Sequence, residues 1–455
     1  MTTPRAIPRS LLVVGLAALA SFGCQEPVQR VALMGVTVVN GGGGPVQRDM
    51  IVLFSGGHID TIVPADGFKL PKNTTEIDAH NRWVIPGLID AHAHLERWAI
   101  ARYLAWGVTS IRDLHGQEDS MAALADEVNL GAIPGPRTFI SGPAIDGSPS
   151  FLADASAVST EPEARRMVDQ RSLASTAWVA TYTRITPALL RAIVDEATRL
   201  TLPVASQLGL TDAVTASGIG VRSIELLSGV PEAASPRPDA FIAEHVKSYF
   251  DGWNYAERSW ATLDSTNLAR VASAMVGNRT FLVPTLVLHD TWSRLDDPAV
   301  LSNSGLAAVP DSEKTRWDVP GMVEKAGWNL ADFAAFRTSR PNQDLFVRVY
   351  RADGGVVVAG TGAPSPMIVP GMSLHREMEL LVAAGFTPAD ALAAATANAA
   401  MLLQADSLGR LAPGKVADMV VLTQDPLADI RNTRAIDMVI SRGHILLPDS
   451  IRAAW

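Results

Sequence analysis

The chain has 455 residues, 47% of them hydrophobic and 19% charged, with a formal net charge of −9. That composition supports a sizeable core and excludes a disordered chain. The acidic balance and the lack of any basic run exclude a nucleic-acid partner and a surface that clings to anionic membranes.

The first 23 residues read as a signal peptide. Arg5 and Arg9 precede an apolar run over 11–20, too short to span a bilayer but suited to an export signal. Cys24, the only cysteine, follows directly. One reading is a lipoprotein with Cys24 acylated and anchoring the chain. The other is ordinary cleavage after Ala18-Leu19-Ala20. Both place the mature protein outside the cytoplasm, in the periplasm or cell envelope, and one cysteine allows no internal disulfide.

Residues 31–85 read as short strands broken by Gly- and Pro-containing turns, and residues 405–455 read the same way. Neither segment can close a core alone, so both ends of the chain are expected to share one small β-sandwich. Between them, 86–404 alternates strand and helix. Eight strand candidates fall at 84–91, 108–113, 137–142, 178–182, 203–208, 221–226, 280–288 and 356–361. Thr186-Pro187 opens a helix, with Thr186 as cap and Pro187 where its missing N–H costs nothing, and Thr387-Pro388 repeats the device. Eight β/α units point to an α/β fold, a (β/α)8 TIM-like barrel. The stretch 231–350 is long for one unit and holds Trp253, Trp260, Trp292, Trp317 and Trp328. It is expected to be an elaboration of the barrel: a lid over the active face, extra core, or an oligomer surface.

The chemistry centres on Val84-Ile85-Pro86-Gly87-Leu88-Ile89-Asp90-Ala91-His92-Ala93-His94. Side chains alternate along a strand, so His92 and His94 share one side, and at a barrel mouth two such imidazoles can bind a divalent metal. This motif resembles the opening strand of the amidohydrolase superfamily. Gly107 to Asp113, Ala359-Gly360-Thr361, Leu374 to Leu380, Ala391 to Asn398 and Gly409 to Leu422 extend the resemblance over nearly the whole mature chain, in the imidazolonepropionase-like and prolidase-like branch. It implies metal-dependent hydrolysis of amide or related C–N bonds by a metal-activated water, and oligomers are common among such relatives.

The same resemblance locates four substitutions. The family's strand-four lysine falls at Ala180, its strand-five histidine at Gln207, its strand-six histidine at Leu226 and its strand-eight aspartate at Gly362. Only His92 and His94 survive of six, one fewer than the roughly three protein ligands of catalytic zinc. His115 and Asp113 at the end of strand two, His289 and Asp290 at the end of strand seven, and Glu225 are candidates for a relocated site, although a regular strand would turn Glu225 away from the side that Leu226 faces. His58, His80, His245, His375 and His444 are expected to be structural or exposed. Three functions stay open: a non-catalytic descendant binding a small molecule or a protein partner, a single-metal or relocated-site hydrolase using His92 and His94, and a different chemistry in the same cup. A zinc-type cofactor and none are equal expectations.

Overall fold

The computed structural model describes residues 29–116 and 118–453, so the expected signal peptide and Cys24 lie outside the described residues. The amino-terminal part folds into β1 (Arg30–Val38), β2 (Gln47–Ser55), β3 (His58–Pro64), β4 (Thr74–Asp78) and β5 (Trp83–Pro86). The middle supplies β6 (Leu88–Ala93), β7 (Val108–Asp113), β8 (Arg137–Ile140), β9 (Ile145–Gly147), β10 (Ser156–Val158), β11 (Val179–Thr181), β12 (Val204–Ser206), β13 (Ser223–Glu225) and β14 (Phe281–Val283). The far end adds β15 (Met419–Leu422), β16 (Ile436–Ser441) and β17 (His444–Leu446).

The two ends meet in one sheet, ordered β17-β16-β15-β5-β1-β2-β3 with β4 beside β1. The junction is antiparallel: Met419 lies opposite Pro86 and Leu422 opposite Trp83. β1 and β2 are apolar on both faces. Leu33, Val36, Val52 and Phe54 pack with Val84, Met419 and Val421 on one side. Ala32, Ile51 and Leu53 pack under Phe68 and Leu70 on the other. The sandwich therefore exists only when both chain ends are present.

The middle strands are parallel and form the TIM-like barrel. β6-β7-β8 and β10-β9-β11-β12-β13-β14 are its two sheets. Backbone bonds link them: Ala177 N–H donates to Ile140 O at 2.9 Å, and the segment 356–363 reaches both flanks. On one flank Leu282 N–H donates to Val356 O at 3.1 Å, and on the other Ala91 N–H donates to Ala359 O at 3.1 Å. The helix Pro187–Arg199 covers the sheet with Leu189, Leu190, Ile193, Val194 and Ala197, and Thr186 caps it by accepting from Leu189 N–H, as its sequence requires.

Three boundaries differ from the sequence reading. The 84–91 run is two strands in different sheets, because a Cβ on Gly87 would lie 2.1 Å from Thr109 Oγ1, and only glycine lets the chain cross there. The 280–288 run stops at Val283. Pro284 has no N–H to continue the ladder, Thr285 adopts φ 46°, and the helix Leu286–Trp292 follows. The 356–361 segment makes only isolated bridges. It passes so close to β6 that a Cβ on Gly360 would lie 2.8 Å from His92 Cβ.

The 231–350 stretch folds into helices around β14, the longest being Leu330–Ala352. Trp292, Trp328, Phe333 and Phe336 bury one another there.

Met419→Ala is expected to cost about 2–5 kcal/mol, because it empties the seam between the chain ends. Met401→Ala, at a side chain 47% exposed, is expected to stay within about 0.5 kcal/mol of wild type. Denaturant unfolding of both variants checks this.

Candidate functional site

His92 stands at the end of β6 and His94 just beyond it. A cavity of about 180 Å³ opens beside them, and Ala180, Gln207, Leu226 and Gly362 all line it. These four positions thus converge on His92 and His94. His115 lines the same cavity, while His289 does not.

The tautomers follow from the partners. His92 Nδ1–H donates to Glu225 Oε2 at 2.9 Å. His94 Nδ1–H donates to the His115 carbonyl at 3.4 Å. With Nδ1 engaged, each ring leaves Nε2 as the nitrogen these partners do not bind. The rings are nearly perpendicular, with centroids 5.9 Å apart. Burial, then repulsion from His92 and His115, pulls His94 down to about 3, so it is neutral. His115 Nδ1 accepts from Ala144 N–H at 3.2 Å.

Behind His92 lies a buried ionic network. Arg112 Nη2 donates to Glu225 Oε1 at 2.8 Å, Nη1 to Ser223 Oγ at 3.0 Å and Nε to the Ala91 carbonyl at 2.5 Å. Its guanidinium also stacks 4.5 Å from the Trp178 ring. Burial pushes the Glu225 carboxyl up, but Arg112, His92 and Ser223 outweigh it and hold it below the usual carboxylate range. Glu225 is therefore an anion that orients His92.

Glu225 was expected to face away from the side of Leu226, and it does not. The strand ends at Glu225. Leu226 and Leu227 then adopt φ 57° and 53°, and this left-handed turn brings Leu226 round to the cavity that Glu225 already faces. Two charged side chains inside short apolar strands, Arg112 and Glu225, were the available signal for this pair, since buried charges need partners.

The other candidates are placed elsewhere. Asp113 accepts from Leu95 N–H at 3.0 Å, and burial pushes its carboxyl up to about 8. Asp90 accepts from Thr361 Oγ1 at 2.6 Å, with its carboxyl raised by burial to about 7. His289 sits in the helix Leu286–Trp292 and not at a strand end. Its Nδ1 is 2.9 Å from Glu257 Oε2 and its Nε2 is 3.0 Å from the Leu226 carbonyl, so both nitrogens are engaged by acceptors. Asp290 on the same helix pairs with Arg294 at 2.6 Å and Arg376 at 3.2 Å. His245 pairs with Glu232 at 2.7 Å, and His375 is buried between Thr433 and the Trp106 carbonyl. His58, His80 and His444 are exposed.

Sequence reasoning missed Tyr182, Tyr249 and Trp292, which line the cavity with Leu114, Leu152 and Leu288. Tyr249 and Trp292 come from the 231–350 stretch, which therefore covers the barrel mouth. Tyr182 and Tyr249 stack at 5.8 Å, with Gln207 beside them on the cavity wall.

A divalent metal needs at least three donors in such a site. Among the described residues no group of three or more His, Cys, Asp or Glu side chains could hold one. His92 and His94 offer two, and Glu225 is committed to Arg112. At Gly362 a carboxylate would need a side chain at φ 73°, in the left-handed region. The donor set does not fit the family's metal centre.

The amidohydrolase family model matches residues 83–446. The chain belongs to the amidohydrolase family. Among solved structures, a Bifidobacterium longum protein assigned as a prolidase is 25% identical, covering 94% of this chain and 99% of its own, at a TM-score of 0.69. The bottromycin amidohydrolase is 22% identical, covering 95% and 90%, at 0.71. A Xaa-Pro dipeptidase with bound methionine is 19% identical, covering 92% and 100%, at 0.67. No curated protein matches the chain significantly. This amidohydrolase-family chain thus keeps the family's fold over nearly its whole length.

Two predictions follow from the buried groups. Arg112→Met and Glu225→Gln should each cost about 3–5 kcal/mol, since each strands a buried charge, and the double variant should cost clearly less than their sum. Chemical denaturation of the three variants measures this. Asp113 ionises near 3.8 when unfolded and near 8 when folded. Between those values the folded state holds a proton that the unfolded state releases. Stability from this group is full below about pH 4 and is lost as pH rises through about 8. Asp113→Asn should flatten that decline in a series of unfolding midpoints from about pH 5 to pH 8.

Proposed function

We propose that this amidohydrolase-family protein acts outside the cytoplasm as a binder of a small, mostly apolar molecule in the barrel-mouth cavity, and does not carry out two-metal hydrolysis. The observation that carries this reading is the donor set: six positions converge on one cavity, and only His92 and His94 among them are metal donors. The remaining wall favours apolar contact, with Leu114, Leu152, Leu226, Leu288 and Trp292 beside the two tyrosines. The free Nε2 lone pairs of His92 and His94 would accept hydrogen bonds from a neutral donor on the ligand.

A second reading is a hydrolase with a single metal on His92 and His94, acting on amide bonds such as those of the prolidase and dipeptidase relatives. One observation favours it. Both imidazoles are held through Nδ1 by an acceptor and keep Nε2 free, which is how metal-bound histidines are commonly oriented.

Elemental analysis of the purified chain separates the two. The binding reading expects less than about a tenth of an equivalent of zinc, iron or manganese, no stabilisation by added metal, and no cleavage of Xaa-Pro dipeptides. Near-stoichiometric metal that disappears in the His92→Ala/His94→Ala double variant overturns it.

A further inference from the structure

A second cavity, of about 40 Å³, lies between the barrel and the helices of the 231–350 stretch. One water needs roughly 10–15 Å³ on this measure, so the space suits about three waters or one compact group of three to four heavy atoms. Gln207, Leu226 and Tyr249 line both cavities and form the partition between them.

The lining of this second cavity is polar and incompletely satisfied. Glu257 is fully engaged, with Oε2 on His289 and Oε1 accepting from Gln343 Nε2 at 2.7 Å. Glu232 uses Oε1 on His245, and its Oε2 has no partner. Thr183 Oγ1 and Trp253 Nε1 have none either. Glu232 and Thr183 are only 5% and 4% exposed, and buried polar atoms are costly to leave unpaired.

Those three atoms define their complement. Glu232 Oε2 can only accept, the Trp253 N–H can only donate, and the Thr183 hydroxyl can do either. A carboxylate would meet Glu232 with like charge. A ketone has no donor for Glu232, and an ammonium has no acceptor for Trp253. A primary carboxamide has both, in one planar neutral group of fitting size.

We infer that this cavity is a binding site for a primary carboxamide, either a free small amide or the end of a longer ligand. The inference does not depend on what occupies the barrel-mouth cavity.

Titration calorimetry of the purified full-length protein with acetamide tests it, with acetone and acetate as controls. Saturable, millimolar binding of acetamide alone is expected. Thr183→Val and Trp253→Phe, checked for cooperative unfolding, should each weaken it about tenfold, and if one fails to fold the other decides. Leu152→Trp fills the barrel-mouth cavity only and should leave acetamide binding unchanged. Equal binding of acetone, absence of saturable binding (buried water only), wild-type affinity in the folded variants, or loss of binding in Leu152→Trp each overturns the inference.

Discussion

The barrel mouth is organised by one buried guanidinium. Arg112 is fully enclosed and joins three parts of the barrel: the β6 backbone at Ala91, the β13 side chains Ser223 and Glu225, and the Trp178 ring before β11. A charge in that position is tolerable only if its donors are matched, because desolvation otherwise exceeds the Coulombic gain. The matching sets everything next to it. Glu225 must stay ionised to hold Arg112, and an ionised Glu225 fixes the His92 tautomer.

The chemistry of the cavity follows from that commitment. Among the described residues Glu225 is the only carboxylate residue lining the barrel-mouth cavity, and both its oxygens are occupied. The carboxyls behind the two histidines, Asp90 and Asp113, are pushed up to about 7 and about 8 by burial, and neither lines the cavity. A proton carrier for hydrolysis must reach the reacting atoms directly or through one water. The rest of the lining offers imidazoles, an amide, two phenols, aliphatic carbons and an indole, the mix of apolar wall and a few polar groups that small-molecule sites use.

Much of this was legible in the sequence, for physical reasons that also explain what was not. The pairing of the chain ends follows from two β-rich segments that cannot bury themselves alone. The convergence of Ala180, Gln207, Leu226 and Gly362 on His92 and His94 follows because parallel barrel strands end on the same face. Alternation failed for Glu225 and Leu226 because it assumes a regular strand, and the left-handed turn at Leu226 breaks that assumption. His289 was misplaced because Pro284 and Thr285 convert an apolar run into a helix start, and apolar periodicity over so short a run does not separate strand from helix. Tyr249 and Trp292 could not be placed at the cavity from the sequence. They reach the cavity from a helical stretch whose docking depends on tertiary packing.

The partition between the two cavities ties the barrel mouth to the helices that cover it. Leu226 presents its side chain to both cavities and its carbonyl to His289, which anchors the helix Leu286–Trp292 and, through Glu257, the helix Tyr249–Ser259. Gln207, just past strand β12, lines both cavities beside Tyr249 of that same covering helix. Leu226 and Gln207 therefore form part of the seat of the elaboration over the mouth. The Leu226 carbonyl and the side chains beside it thus hold the covering helices against the end of β13.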